Sequence, residues 1–301
     1  MVPLAICGMV FRNAAGGGTS QAIGSEIAPK YRIEVSVPEF ERLRVLIWGK
    51  TYPELSAKYV ETVCTGGVRD DGRPIRLYPV PLRYLGSDSQ YKLYDWIDVT
   101  ITKSTHDPRP ESFKVDADGI KRIESLDTDR GSWRRRREAI FKDTSWQFGS
   151  VAELKSRQRE EQKSLGIVTP GSVEEIRLVP KSENARHEYD KKMEEVQSQK
   201  DLFRPEYKEL EFLPFELRMK WWCAEHCNCS ERPHDMKALD WGLLELARRD
   251  GWEKAKGRLE TISNLSDYEF RLYMGNFRLH PHNFGIIGMW YPKIPEQASL
   301  L

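Results

Sequence analysis

The stretch Tyr59–Tyr78, YVETVCTGGVRDDGRPIRLY, decides the fold class. Val60, Thr62 and Cys64 alternate with Tyr59, Glu61 and Val63, the period of two that marks a strand. Arg69-Asp-Asp-Gly-Arg73 follows as a tight turn, its Asp-Gly step supplying the positive φ such a turn needs. Ile75-Arg-Leu-Tyr78 answers as the returning strand. Two paired strands with a turn between them predict a β-rich domain. Upstream, Arg44-Val-Leu-Ile-Trp48 is a short apolar, β-branched run that ends at Gly49. Downstream, Pro79-Val-Pro81 is expected to stop ladder pairing. Tyr94–Lys103, YDWIDVTITK, alternates again, and Thr105–Phe113 reads as a Pro-rich loop.

From Asp118 the pattern turns helical. Short helices are expected over Asp118–Leu126 and Trp133–Phe141, and Ser150-Val-Ala-Glu153 fits a capping box opening a longer one. Val173–Val179 reads as a strand. Residues 181–208 are highly charged with almost no apolar face, a solvated helix or a linker. Beyond them Met219-Lys-Trp-Trp222 is strand-like, Ala238–Ala247 and Trp252–Ile262 have helical spacing, and Phe284–Tyr291 suits a buried strand. Gly275-Asn276 is expected to turn with positive φ. The predicted class is α+β or mixed α/β, a β-rich N-terminal part joined to a smaller α/β C-terminal part with a Cys/His cluster. The expected organisation is a poorly ordered tail over 1–43, a β-rich domain with an Arg-rich helical segment over 44–180, a charged linker or helix over 181–208, and the C-terminal part over 209–301.

The chain has 301 residues with 47 Lys and Arg against 46 Asp and Glu, a formal charge of +1. That balance excludes a uniformly basic nucleic-acid coat. Apolar residues make up only 39%, and no run of about 18 of them exists, so a transmembrane helix is not expected. Nine Trp in so polar a chain argue for a folded core or for stacking surfaces. Met1–Phe11 lacks the positive start of a signal peptide. The five Cys are odd in number and clustered, which predicts a reduced, cytoplasmic protein.

Cys223, Cys227, Cys229 and His234 place four soft donors in twelve residues, the chemistry of structural zinc. The Cys-x-Cys step makes it hard for both thiolates to reach one ion. Three of the four are therefore expected to bind, with His280 or His282 as a candidate fourth ligand. Arg130, Trp133 and Arg134-Arg-Arg-Arg137 form the densest basic run, with guanidinium forks for phosphate and an indole for stacking. No Walker loop, G-x-S-x-G elbow or H-E-x-x-H string is present, and no nucleotide cofactor is evident. Lys50, at the end of the first strand, Glu61, Asp98 and Asp107 are the catalytic candidates. One carboxylate would suffice to hydrolyse a glycosidic bond. Tyr52, Asn276, His280 and His282 are the pocket candidates. Asp240-Trp241 reads as a helix-surface acid beside a core Trp.

Lys50–Thr62, Ile75–Pro81, Gly275–Phe284 and Gly288–Pro292, together with the Cys/His cluster and Leu239-Asp-Trp241, carry a resemblance over about residues 44–292. The chain resembles a family of mostly uncharacterised prokaryotic proteins from mobile and defence-related gene neighbourhoods. Through it the chain is similar to antiphage DNA glycosylases that remove modified bases from phage DNA. The resemblance assigns no catalytic residue. It implies a DNA-acting enzyme that leaves abasic sites. The alternatives are a zinc-stapled, non-catalytic reader of modified or single-stranded nucleic acid, and a metal-dependent nuclease.

Overall fold

The computed structural model describes residues 40–104, 107–128, 131–198, 207–224, 227 and 232–295. The N-terminal part is built from β1 (Phe40–Lys50), β2 (Glu54–Ser56), β3 (Val60–Arg69), β4 (Pro74–Val80), β5 (Asp95–Lys103), β6 (Ser112–Val115) and β7 (Lys121–Ser125). The hairpin legible in the sequence joins β3 to β4 through Gly72 at φ 88°. Strand β1 pairs antiparallel with β5 through its first half and with β3 through its second. Strand β4 runs parallel to β6, and β6 antiparallel to β5. The circuit β1-β3-β4-β6-β5-β1 therefore closes into a five-stranded barrel, with β2 and β7 as additions. Its strand order, with one parallel pair between the third and fifth strands, is that of the Greek-key barrels called OB-folds.

The run Val45–Trp48 is continuously apolar because both faces of β1 are covered. Val45 and Ile47 point into the barrel among Val63, Ile75, Leu77 and Ile97. Leu46 and Trp48 point outward into a second core with Trp146, Leu272 and Trp290. Strand β3 has room for that packing because Gly66 leaves space for the Trp48 ring, which a Cβ there would meet at 2.4 Å.

The second core belongs to the C-terminal part. Its elements are α1 (Arg134–Ile140), β8 (Gln147–Phe148), α2 (Val151–Glu161), β9 (Leu165–Val168), β10 (Pro170–Pro180), α3 (Glu183–Ser198), β11 (Phe215–Cys223), β12 (His234–Lys237), α4 (Trp241–Asp250), α5 (Trp252–Ile262), β13 (Arg271–Phe277) and β14 (His280–Trp290). They form a sheet of order β14-β13-β9-β8 and another of order β10-β11-β12. Helix α2 starts as its capping box dictates, with the Ser150 hydroxyl accepting from Glu153 N and the Glu153 carboxylate accepting from Gly149 N. Among the described residues, a β-rich fold with five α-helices, the barrel first and the Cys/His cluster in its second part matches the expected class.

Four local expectations fail. Residues 121–125 form the edge strand β7, not a helix, because they complete the ladder beside β5. Val80 still pairs with Val63, so Pro79 bends β4 without ending it. Gly275 and Asn276 lie within β13, and the turn falls two residues later, between Phe277 and His280. Leu43 and its predecessors from Phe40 are already in β1; residues 1–39 lie outside the described residues. The change of sheet partner also falls near residue 146 rather than 180. Strands β9 and β10 pair with β13 and β11, respectively, and so join the C-terminal sheets. The charged stretch from 183 to 198 is helix α3.

In barrels of this order the second and third strands and the adjoining loops make the usual ligand face. Here those strands are β3 and β4, and the chain covers them with its own C-terminal part. Arg76 on β4 donates to the Ser164 carbonyl at 2.8 Å and to the Asn276 carbonyl at 3.3 Å. Arg109, in the β5–β6 loop, donates to the same Asn276 carbonyl at 3.0 Å. Glu111 accepts from Ser164 N and Oγ. In the β1–β3 loop, Thr51 bridges to Asp240, and Tyr52 N donates to the Leu239 carbonyl at 3.1 Å.

Candidate active site

That last contact brings Lys50 beside the start of α4. Together with Leu93, Trp241, Leu243, Leu246, Arg249, Arg258, Ile262, Met289 and Tyr291, Lys50 and Asp240 line a cavity of about 420 Å3. Its size and mixed apolar and polar lining are those of a small-molecule or base pocket. Lys50 ends β1, donates from Nζ to the Tyr91 carbonyl at 3.2 Å and lies 4.9 Å from the centre of the Trp241 ring. Burial pulls its ammonium down from 10.5 to about 8, partly offset by the charge of Asp240. Asp240 caps α4, accepting from Leu243 N at 2.9 Å. It is 7% exposed, and burial pushes its carboxyl up to about 6 against the hydrogen bond from Leu243 and the charge of Lys50. An amine and a carboxyl driven toward neutrality from opposite sides, in one cavity, are the pattern of proton-transfer sites. Arg249 and Arg258 bring two exposed guanidiniums to the lining; Arg249 also pairs with Asp250 at 3.3 Å, and Arg258 lies over the Tyr291 ring at 5.5 Å.

Of the four catalytic candidates read from the sequence, this cavity takes Lys50 only. Asp98 sits on the outer surface of β5, paired with Arg42 at 2.7 Å. Asp107 is buried and clamped by Arg109 and the Ser112 hydroxyl. Burial opposes its ionisation, but those bonds outweigh it and hold the carboxyl well below the usual range. With Arg76 and Glu111 it completes a buried set of two cations and two anions that ties barrel to C-terminal part. Glu61 is raised by burial and bound to Arg83 at 2.8 Å. Arg83 in turn lines a neighbouring cavity of about 410 Å3 with Tyr52, Glu209, Glu211, Trp241, Glu245 and Arg248. The Trp241 ring thus borders both cavities. A wider groove of about 700 Å3 runs between β10 and α5, but none of its ionisable lining groups is buried.

Among the pocket candidates, Tyr52 lines the second cavity; burial and nearby Glu245 push its hydroxyl up to about 12. Asn276 is buried, accepting from Arg109 and donating to the Pro281 carbonyl, a structural duty. His280 and His282 are exposed at the start of β14. Trp133 does not present a stacking face. It packs edge-on against Tyr94, Trp290 and Tyr291 and carries Arg136 over its ring at 4.8 Å. The arginines beside it are engaged too. Arg136 donates to the Leu126 carbonyl, Arg137 chelates Glu269, Arg135 reaches Glu124 at 3.2 Å and Arg134 faces Glu138 at 3.8 Å. This segment backs the cavity through Tyr291. Arg130 lies outside the described residues.

The metal candidates converge. Cys223, Cys227 and His234 place one donor atom each within 4.8 Å of one another. The Cys223 thiol is 3.3 Å from His234 Nε2 and accepts from Val151 N, at the start of α2, at 3.4 Å. Cys223 is a free thiol, whereas Cys227 is disulfide-bonded. Disulfide and metal compete for Cys227, since only a thiolate ligates. The donor set fits a metal ion; Cys229 lies outside the described residues.

Two family models divide the chain where its sheets divide. Residues 41–142 match the Domain of unknown function (DUF8758), the barrel with β7 and α1. Residues 147–301 match the Domain of unknown function (DUF8757). The chain belongs to the DUF8757 family. The family's segment contributes Asp240, Trp241, Tyr291 and the Cys/His cluster, and the DUF8758 segment contributes Lys50, so the cavity lies where the two matched segments meet. No curated protein matches the chain. A chain from a replication protein A heterotrimer bound to single-stranded DNA is similar over 90% of this chain, at 10% identity and a TM-score of 0.35. The present chain spans about half (53%) of that one, and the likeness is too slight to establish a common fold. Among the described residues no helix is long and apolar enough to cross a membrane.

Sequence reading missed Tyr291, Arg249 and Arg258, and took Asp240 for a surface acid. The available signal was Asp240 directly before an amphipathic helix. It marks an N-cap, but its burial depends on β1 arriving from 190 residues away.

Proposed function

We propose that the chain is a base-excising enzyme acting on DNA, with the Lys50–Asp240 cavity as its active site. The observation that carries this reading is one buried carboxyl, Asp240, sharing a single cavity with the Lys50 amine and the Trp241 and Tyr291 rings. A nucleobase extruded from the stack fits between apolar and aromatic walls, and enzymes that act on bases in duplexes extrude them in this way. Asp240 then protonates the departing base or deprotonates the attacking group, and Arg249 and Arg258 meet the flanking phosphates. The resemblance to antiphage glycosylases directs the choice of substrate to DNA with modified bases. A reader that binds on the open face of a small barrel is disfavoured, because Ser164 and Asn276 already occupy the β3–β4 face.

The Cys/His cluster takes zinc in this reading, as a structural staple. Two thiolates and an imidazole are zinc ligands, and the Val151 amide on Cys223 is the kind of outer hydrogen bond that supports a thiolate ligand. The test of the enzymatic reading is incubation with unmodified and base-modified phage DNA, followed by aldehyde labelling of abasic sites. Labelling of the modified DNA is expected from the native protein and not from D240N. Labelling from neither, or equally from both, contradicts it.

A further inference from the structure

We propose that Lys50 is the nucleophile of this cavity: its amine bonds to C1′ of the deoxyribose and holds it as an imine, so that base removal is coupled to strand cleavage. The inference rests on the base-excision reading and adds a covalent step to it.

The geometry sets Lys50 apart from the other cations of the site. Arg249 and Arg258 are guanidiniums, always protonated and without a lone pair to give. Lys50 comes from β1, a rigid strand with both faces packed, and its Nζ is aimed by the Tyr91 carbonyl along the Trp241 ring. Burial lowers its ammonium toward the neutral amine that a nucleophile needs. Asp240 lines the same cavity and acts on the Lys50 charge, and in this step it takes and returns the proton by way of water.

The step balances without an oxidant or a further co-reactant. The amine lone pair forms the N–C1′ bond as the C1′–base bond breaks. The base leaves with the bonding pair and takes the proton that the amine gives up through Asp240. The nitrogen pair then opens the C1′–O4′ bond, giving an iminium at C1′ and, after protonation, a hydroxyl at C4′. The Asp240 carboxylate removes the C2′ proton, and the 3′ phosphate departs with the C3′–O pair. Water finally hydrolyses the imine, restoring the lysine and releasing an unsaturated aldehyde end.

Lys50 can be probed directly with an oligonucleotide carrying one preformed abasic aldehyde, in the presence of sodium borohydride. The native protein is expected to be trapped as a covalent adduct on the peptide that holds Lys50. In the absence of borohydride it should nick the strand 3′ to the site. K50R, which keeps the charge, and K50M should each lose both signals by at least 100-fold while keeping the native circular dichroism. If both variants unfold, peptide mapping of the native adduct still decides. An adduct on Lys50 supports the inference; an adduct only on other lysines, or none, overturns it. Release of modified base without trapping or nicking would overturn this inference and leave the base-excision reading standing. Trapping on Lys50 without release of any base from modified DNA would overturn that reading and leave the amine chemistry standing.

Discussion

Replacing Asp240 by Asn should make the protein more stable at neutral pH. The carboxyl is buried, and its acidity falls from the ordinary 3.8 to about 6 on folding. A difference of that size corresponds to about 3 kcal/mol between the protonated and ionised forms. The folded state holds this proton more tightly than the unfolded state. The stability it brings is fully present below pH 3.8 and is lost as pH rises through 6. Asn accepts the Leu243 amide as Asp does, so the cap of α4 survives. The attraction to Lys50 that the variant gives up is already contained in that figure. The net expectation is an increase of about 2–3 kcal/mol at pH 7, shrinking toward zero at pH 4. Urea unfolding followed by Trp fluorescence at pH 4, 5, 6, 7 and 8 measures it. Native and variant curves that stay parallel across that range, or a variant less stable at pH 7, would refute the assignment of a buried, proton-binding carboxyl.

Gly66→Ala would drive a methyl into the Trp48 ring, within 3 Å of three of its atoms, and should cost about 1–3 kcal/mol in the same urea assay. Arg76→Met would take one of two donors from each of the Ser164 and Asn276 carbonyls and the positive charge from beside buried Glu111, inside the junction of barrel and C-terminal part; a loss of about 3–5 kcal/mol is expected by thermal unfolding. Reduced protein should bind one zinc per chain by elemental analysis, and C223S should bind less than a tenth as much. Chelation should lower the melting temperature of reduced native protein but not that of C223S.

Most strands of the barrel were legible from the chain because they declare themselves locally, whereas its closure through the β1–β5 and β4–β6 pairings was not. Tyr59–Tyr78 carries alternation, a turn and a return in one segment, and Val45–Trp48 is apolar on both faces. Residues 121–125 defeated the local reading, since all five are exposed and only the edge of β5 makes them a strand. Gly275 and Asn276 look like turn residues, yet Gly275 serves close packing against Ile287 and Arg76, and Asn276 serves the Arg109 network. The cluster of Cys223, Cys227 and His234 was legible because its members are near in sequence. The buried carboxyl of Asp240 was not, because it comes to the Lys50 cavity through a bridge between Thr51 and Asp240 across the whole fold. The Arg-rich run shows the opposite failure. Its density suggested phosphate contact, but three of its four members from 134 to 137 find acids of this chain and Arg136 finds a carbonyl and two rings.

Base removal by the Lys50–Asp240 cavity is tested by mass-spectrometric detection of free base from base-modified phage DNA, with native protein and D240N side by side. Release by the native protein is expected, with a loss of at least 100-fold in D240N, a variant that is folded and more stable at pH 7. Release that survives the substitution undiminished would contradict it.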